Sequence, residues 1–254
     1  MKKTFTLAVA AALLCGGRVG AQELLTNGNL DDPGVHETDL ATGWTLTEGP
    51  GAINSATFAS FANHTPVGSD PTQVGVWLRG FEGTTFDNPR PAADADLTQT
   101  VAATSSLQYT MSGWARFETN WSGGLDFLPS GGTTSPPRWP TNTPSPTRAE
   151  FALEFLGAAN AVLGGSVVVD LHDDLGQTND GLWHQHVLSA VAPAGTLNVR
   201  VRGSMIDGVA SDLNPQSAFF DDFSLTAIPE PGTLGLAVVA LTALACRRRG
   251  GKRD

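Results

Sequence analysis

The sequence predicts an all-β protein, an antiparallel β-sandwich of the jelly-roll type, flanked by an apolar segment at each end. Two observations predict this fold class. Outside the two ends, no stretch places apolar residues at helical spacing, and short segments instead alternate apolar with polar residues. The chain also has 29 glycines and 16 prolines, which divide it at frequent turns. Short strands joined by such turns are typical of a β-sandwich or jelly roll.

The first predicted strands lie at the start of the segment 22–227. Leu24 and Leu25 form a short strand that enters a turn at Asn27-Gly28, the strongest short turn signal in the chain. Residues 43–46 form the next strand, with Trp44 near the edge of the core. The strand at 74–78 has apolar residues on both faces, which is expected of a buried strand.

A loop and two well-defined strands surround that buried strand. Residues 50–72 are rich in Ser, Ala, Asn and Pro and are predicted as a loop, with Phe58 and Phe61 holding it to the core. From residue 97 the alternation is cleaner and predicts strands at 97–101 and 107–117.

The second half of the segment supplies five more predicted strands. In 151–155 the apolar residues alternate with Glu and Ala, which indicates a half-buried strand. The remaining strands are predicted at 167–171, 183–188, 197–201 and 219–225.

The segment 119–148 does not fit a strand. It contains many Ser, Thr and Gly residues and six prolines, and loops of this length are usually functional or disordered. Exposed aromatic residues on it would offer flat surfaces on which sugar rings stack, and we predict Trp121 and Trp139 in this ligand-binding role. The alternative is that the loop's aromatic residues, which include Phe127, hold it against the sandwich. Its Ser and Thr residues could also accept O-glycans.

The N-terminus has the three parts of a signal peptide. Lys2 and Lys3 are followed by an apolar stretch, 4–14, and by the small residues of a cleavage site that ends at Ala21. We expect cleavage after Ala21. Cys15 suggests a lipoprotein signal, but the preceding leucine is too large for one.

The composition of residues 22–227 restricts the partners of the mature protein. This segment has no cysteine, so no disulfide can stabilise it after export. It has seven arginines, no lysine and 23 Asp and Glu residues, a formal charge of −16, whereas the whole chain has −10. So acidic a surface argues against binding to nucleic acid or anionic lipid, and it is compatible with divalent cations and neutral polysaccharide.

The C-terminus, 228–254, is a second export-related element. Pro229, Glu230 and Pro231 precede an apolar run at 234–245, too short to cross a bilayer comfortably, and three arginines follow it. An ordinary C-terminal anchor or a buried helix would be the alternatives. The order of these parts resembles the PEP-CTERM sorting signal of Gram-negative bacteria. This resemblance implies transient anchoring in the inner membrane, processing by an exosortase-type membrane protease, and delivery to the cell surface or extracellular matrix.

The segment between these ends also resembles a known fold family. Its N-terminal Leu-Thr-Asn-Gly-Asn-Leu-Asp at 25–31, the Val-Trp-Leu at 76–78, the Ala-Pro-Ala-Gly-Thr at 192–196 and the C-terminal Phe-Phe-Asp-Asp-Phe at 219–223 look like the galactose-binding-like jelly roll of many carbohydrate-binding modules. The resemblance implies two antiparallel sheets, with both chain ends side by side in one of them.

The same resemblance implies a structural calcium ion where the first loop meets the last strand. It places Asp31 and either Asp221 or Asp222 at that site. Calcium takes six to eight oxygen ligands, usually carboxylates together with main-chain carbonyls. The alternative is that Asp31 is a turn residue and the other two lie at a solvated strand end.

Other possible sites have weaker signals. His184 and His186 lie on one face of a strand, a spacing found in zinc sites, but no third ligand is evident. The acidic residues between 170 and 180 lack the spacing of an EF-hand. No nucleophile elbow, Cys–His pair or phosphate-binding loop is present, although paired carboxylates for glycoside hydrolysis stay open. The sequence thus predicts an exported, non-catalytic protein that binds polysaccharide, with a purely structural matrix protein as the alternative.

Overall fold

The computed structural model describes residues 21–32, 40–49, 56–64, 73–79, 93–118, 121, 147–208 and 217–229. Within these ranges the chain forms eleven β-strands and two single turns of 3-10 helix, at Ser60–Ala62 and Ala158–Asn160. The strands are β1 (Gln22–Glu23), β2 (Thr45–Glu48), β3 (Ala56–Ala59), β4 (Gly75–Arg79), β5 (Ala93–Ala102), β6 (Leu107–Phe117), β7 (Arg148–Leu156), β8 (Val167–Asp170), β9 (His184–Val191), β10 (Asn198–Gly208) and β11 (Ser217–Pro229).

These strands form two antiparallel sheets that pack face to face. Sheet 1 has the order β3-β4-β11-β6-β9, and β1 pairs with the far end of β11. Sheet 2 has the order β2-β5-β10-β7-β8. The predicted fold class, an antiparallel β-sandwich of the jelly-roll type, is therefore confirmed.

The core lies between the two sheets and is built by alternation along each strand. In β6, Tyr109 and Phe117 point inward and are buried, as are the residues at every second position between them. Across the core, the ring of Phe151 in sheet 2 lies 5.1 Å from the ring of Phe220 and 5.4 Å from that of Phe223. The side chains between these inward residues point to the outer face of each sheet.

The N-terminal segment is held to both sheets. The Leu24 N–H donates a hydrogen bond of 2.9 Å to the carbonyl of Leu225. The Gln99 side chain binds the main chain of Thr26 twice, since its amide nitrogen donates to the carbonyl and its oxygen accepts from the N–H. These bonds place the described start of the domain beside its last strand.

Three strand predictions differ from the structure. Residues 50–72 contain β3, which sequence reasoning missed because its four residues, Ala-Thr-Phe-Ala, have too little alternation to stand out. The first strand is Gln22–Glu23, whereas Leu24 and Leu25 follow it. The last strand continues to Pro229, so the first proline of the predicted sorting motif pairs with Leu107 in sheet 1.

Most of the two predicted export signals lies outside the described residues. Ala21 is the first described residue and Pro229 closes β11, whereas Glu230, Pro231 and the apolar run fall beyond it. In the ranges that the structure describes, no helix is long and apolar enough to cross a membrane.

Candidate functional site

The outer side of sheet 1 carries a group of aromatic side chains. Cross-strand pairing aligns Trp77 of β4 with Phe219 of β11, and Phe219 with Arg116 of β6, all on the side away from the core. The helical turn after β3 adds Phe61, and the residue before β9 adds Trp183. We call the four rings of Phe61, Trp77, Trp183 and Phe219 the aromatic face.

The four rings are in contact with one another. Trp77 and Phe219 lie nearly parallel, with centroids 6.1 Å apart and an interplanar angle of 7°. The edge of Phe61 meets Trp77 at 5.3 Å, and Trp183 lies 6.4 Å from Phe219. Phe61 is 54% exposed, whereas Phe219 is 6% exposed. The face is therefore apolar, continuous and open to solvent at one ring.

Two arginines lie over these rings. The guanidinium carbon of Arg116 is 4.3 Å from the centroid of Phe219 and 5.3 Å from that of Trp183. That of Arg79 is 4.8 Å from the centroid of Trp77. All three distances fit cation–π contacts. Partial burial lowers the pKa of Arg116, against the opposing effect of nearby Glu118.

Next to the aromatic face, a histidine joins it to a group of carboxylates. The ring of His64 stacks on Trp114 at 3.8 Å and meets Trp183 edge-on at 5.6 Å. Its Nδ1 lies 2.8 Å from Oδ2 of Asp222, and its main-chain N–H donates to Oδ2 of Asp221 at the same distance. The short turn that carries Phe61 is thereby fixed to β11.

A bulge in β11 sets the positions of these two carboxylates. One extra residue interrupts the pairing with β6 between Asp221 and Ser224, and Asp222 has a positive φ of 48°. The bulge lets the Phe223 N–H donate a 2.8 Å bond to the carbonyl of Gly28. A Cβ on Gly28 would lie 2.1 Å from the carbonyl oxygen of Phe223, so only glycine allows this close approach.

The predicted calcium ligands lie at this junction. Asp221 is 1% exposed, and burial, together with the charges of Asp222 and Asp31, raises its pKa to about 8. Asp31 accepts hydrogen bonds of 2.7 Å from the Val74 N–H and from the side chain of Asn29. We call Asp31, Asp221 and Asp222 the carboxylate cluster. In the part of the chain that the structure describes, no three His, Cys, Asp or Glu side chains are placed to hold one metal ion together.

The predicted stacking residues have different outcomes. Trp121 is 1% exposed, and its ring stacks on Phe117 at 4.6 Å with an interplanar angle of 11°. Its position corrects the prediction that it forms a surface for sugar rings and agrees with the alternative, that it holds the loop to the sandwich. The physical reason is that β6 ends beside it and gives its ring an aromatic partner. Trp139 lies outside the described residues.

The other candidate residues are engaged in local bonds. His184 Nε2 lies 3.0 Å and 3.1 Å from the two carboxylate oxygens of Asp180, and His186 Nε2 lies 2.6 Å from the side-chain oxygen of Gln177. Burial lowers the pKa of His186 to about 4, helped by the charge of His184. Asp170 and Asp174 accept bonds from the main chain of their own turn. This turn starts the connection from β8 in sheet 2 to β9 in sheet 1, so the segment is not the tip of a hairpin.

Sequence reasoning missed the aromatic face. The residues at the outward positions of β6 are Gln108, Thr110 and Ser112, followed by Trp114 and Arg116. This change from polar to aromatic and basic residues is a readable signal for one end of the strand. Trp77 gave none, because a strand that is apolar on both faces does not reveal which side is the core.

Comparisons with known proteins assign no family to this chain. A scan against protein-family models finds no match, and a search of curated proteins finds none. Similar solved structures include the enzymatically active domain of tailspike protein 4 from bacteriophage CBA120, with 12% identity, a TM-score of 0.49 and 81% of this chain covered. This chain covers 21% of the tailspike chain.

Two smaller proteins are similar over nearly their whole length. One is TmCBM61 in complex with β-1,4-galactotriose, with 14% identity, a TM-score of 0.43, and 80% of this chain and 97% of that chain covered. The other is a Stig cyclase from Fischerella sp. TAU, with 14% identity, a TM-score of 0.47, and 82% and 98% covered. At these values the likenesses say nothing about what this chain binds or catalyses.

Proposed function

We propose that this protein binds polysaccharide through the aromatic face of sheet 1. The observation that carries the proposal is the set of four contacting rings on the outer side of a sheet, one of them 54% exposed and the other three in contact with arginine. A sugar ring has an apolar side bearing C–H groups, which packs on an aromatic ring and is thereby removed from water. Its hydroxyls remain at the rim, where arginine N–H groups donate hydrogen bonds.

The proposal is tested by removing the rings that a ligand can reach. Phe61→Ala and Trp183→Ala should each weaken binding to the best polysaccharide of a panel by about tenfold, taking the stacking of a sugar ring to be of the same order as the stacking of a nucleic-acid base on one aromatic side chain, about 1–3 kcal/mol. Affinity electrophoresis of the purified protein in gels that contain the polysaccharide measures the loss.

The matched control is Val168→Ala. Val168 is 48% exposed and lies on β8 in sheet 2. Its substitution therefore removes exposed apolar surface from the other sheet of the sandwich. Its affinity should equal that of the wild-type protein. Equal loss in all three variants, or no binding to any polysaccharide in the panel, would contradict the proposed function. The second of these results would favour the alternative, a structural matrix protein without a ligand.

The proposed activity is binding without catalysis. The described carboxyl group with the most strongly shifted pKa, that of Asp221, lies in a buried junction where the main-chain N–H groups of His64 and Asp222 occupy its two oxygens. A glycoside hydrolase would instead need two carboxyl groups on either side of a bound sugar. Incubation of the protein with the bound polysaccharide and measurement of reducing ends would detect turnover and overturn this part.

We also propose that the protein is exported and sorted as its two ends suggest. The supports are the signal-peptide pattern that ends at Ala21 and the Pro229-Glu230-Pro231 tail with its arginine cluster. An exosortase-type membrane protease would process the tail after transient anchoring in the inner membrane. Mass spectrometry of the protein at the cell surface should find Gln22 at the N-terminus and a C-terminus near residue 229. Intact ends would contradict this proposal.

The carboxylate cluster is proposed to hold a structural calcium ion. Its donors are hard carboxylate oxygens, which suit calcium, and a cation would offset the burial of Asp221 beside two like charges. The three carboxylates are not placed to hold one ion together in the described residues, so Asp31, Asp221 and Asp222 would have to move towards one another to supply the side-chain ligands, and main-chain carbonyls would have to complete the set. A bound ion would join the N-terminal turn to β11 in a domain that has no cysteine for a disulfide.

A further inference from the structure

Arg116 and Glu118 form an unusual pair beside the aromatic face. Arg116 points outward near the end of β6, and Glu118, two positions later, points to the same side. The charge of Glu118 acts on Arg116 and raises its pKa against the larger effect of burial. Yet neither side chain forms an ion pair with the other among the described residues, and their polar groups stay apart.

Both side chains have hydrogen-bonding capacity that the protein leaves unused. Nε of Arg116 and Oε2 of Glu118 are buried without a hydrogen-bond partner in the described part of the chain. Among the described residues, the guanidinium makes one hydrogen bond, a long one of 3.4 Å from Nη2 to the carbonyl of Phe61. Buried polar groups are nearly always hydrogen-bonded, so two such groups in adjacent outward positions point to an absent partner.

The arrangement identifies the chemistry of that partner. The guanidinium only donates hydrogen bonds and the carboxylate only accepts them, so a ligand that binds both must offer an acceptor to Arg116 and a donor to Glu118. A hydroxyl can play either part. Nε of Arg116 and Oε2 of Glu118 are themselves covered, but each side chain is only partly buried, so a ligand can reach the remainder of the guanidinium and the carboxylate. A carboxylate or sulfate ester on the ligand would satisfy Arg116 but would be repelled by Glu118.

We propose that Arg116 and Glu118 bind adjacent hydroxyls of an uncharged sugar whose ring packs on the aromatic face. The bound polymer is then a neutral polysaccharide, and uronic-acid or sulfated polymers are excluded. This inference rests on the proposed function and adds the ligand class and the residues that select it. The charge of the whole domain acts in the same direction, because its formal value of −16 repels an anionic polymer over a screening length of about 8 Å.

A binding panel with both ligand classes tests the inference. The purified protein should bind at least one of galactomannan, xylan and mixed-linkage β-glucan. It should bind alginate and polygalacturonate at least tenfold more weakly, because the loss of about one hydrogen bond to a charged side chain lowers affinity by that factor. Affinity for the neutral polymer should not change with salt, since no ion pair forms with it.

Two variants examine the pair itself. Glu118→Gln keeps the size of the side chain but loses the charged acceptor, and Arg116→Lys keeps the charge but loses the planar set of donors. Each should weaken binding to the neutral polymer by about tenfold. Asp173→Asn, the same change of carboxylate to amide at a 64% exposed side chain beside β8, is the control and should bind as the wild-type protein does.

The possible failures are distinct. If uronate polymers bind as well as neutral ones, or if Glu118→Gln strengthens their binding, the inference is overturned and the proposed function stands. Unchanged affinity in both pair variants, with melting temperatures equal to wild type, overturns it in the same way. If neither class of polymer binds, both the inference and the proposed function fail.

Discussion

At the scale of single residues, two buried serines differ in whether their hydroxyl groups have a hydrogen-bond partner, and this difference decides how each hydroxyl affects stability. Ser217 and Ser204 are both 0% exposed. Oγ of Ser217 has no hydrogen-bond partner in the described residues, whereas Oγ of Ser204 accepts from Arg202 and donates to Asp96. Removal of an unpaired hydroxyl relieves a desolvation cost, and removal of a paired one leaves its partners unsatisfied.

We therefore expect opposite effects from the same substitution. Ser217→Ala should leave the free energy of unfolding unchanged or raise it by up to about 2 kcal/mol, whereas Ser204→Ala should lower it by about 1–3 kcal/mol. Urea unfolding followed by tryptophan fluorescence measures both variants. A large loss in Ser217→Ala would mean that its hydroxyl has a partner, and the interpretation of this site would have to change.

Sequence reasoning identified some of the site at this scale and missed the rest for physical reasons. Asp31 and Asp221 were predicted to meet, and the charge of Asp31 does act on Asp221. His64 and Arg116 were not predicted as site residues, because their positions depend on cross-strand register and on a bulge, which one sequence does not reveal. Trp121 was assigned to the surface because its loop is polar, yet a neighbouring aromatic ring buries it.

At the scale of elements, the turn that carries Phe61 and His64 depends on one glycine. Gly75 begins β4, and a Cβ there would lie 2.0 Å from the carbonyl oxygen of Ala62 and 3.1 Å from that of Phe220. Both contacts are with main chain, which cannot move aside as a flexible side chain can. This close approach seats the helical turn against sheet 1 and so positions one edge of the aromatic face.

Gly75→Ala should therefore destabilise the domain by about 2 kcal/mol or more, which corresponds to a fall in Tm of roughly 5 °C. It should also weaken polysaccharide binding, because the turn with Phe61 has to shift. Gly164→Ala is the matched control, since nothing lies within 4 Å of the added carbon and its φ is not positive. Differential scanning calorimetry would contradict this account if both variants melted at the same temperature.

The strands themselves were predicted with unequal success, and the reason lies in their patterns. β6 and β7 are long and alternate clearly, so both were located, and β10 was located only at its start. β3 is a four-residue strand without a polar face, and it was assigned to a loop. Its presence matters for the proposed binding, because β3 leads directly into the turn that carries Phe61.

At the scale of the whole molecule, the carboxylate cluster links the two ends of the domain to its global stability. The raised pKa of Asp221, about 8 against an ordinary 3.8, means that the folded protein holds this proton more tightly than the unfolded chain does. Without a cation, the contribution of this group to stability is fully present below about pH 4. It is lost as the pH rises towards 8, because ionisation of a buried carboxyl opposes folding.

This linkage gives the last prediction, which also tests the proposed calcium ion. In EDTA, Tm should fall between about pH 4 and pH 8 more steeply in the wild-type protein than in Asp221→Asn, which cannot ionise there. Calcium favours the ionised carboxylate, so it should raise Tm most at the upper end of this range. A calcium concentration one hundred times its Kd raises the free energy of unfolding by about 2.7 kcal/mol, which raises Tm by several degrees for a domain of this size.

Because the proposed calcium ion needs the carboxylate cluster, Asp31→Asn and Asp221→Asn should both lose the calcium response, and Asp173→Asn should keep it. The same pH slope in wild type and Asp221→Asn would rule out the buried proton as its cause. A calcium response that persists in both cluster variants would place any bound ion elsewhere.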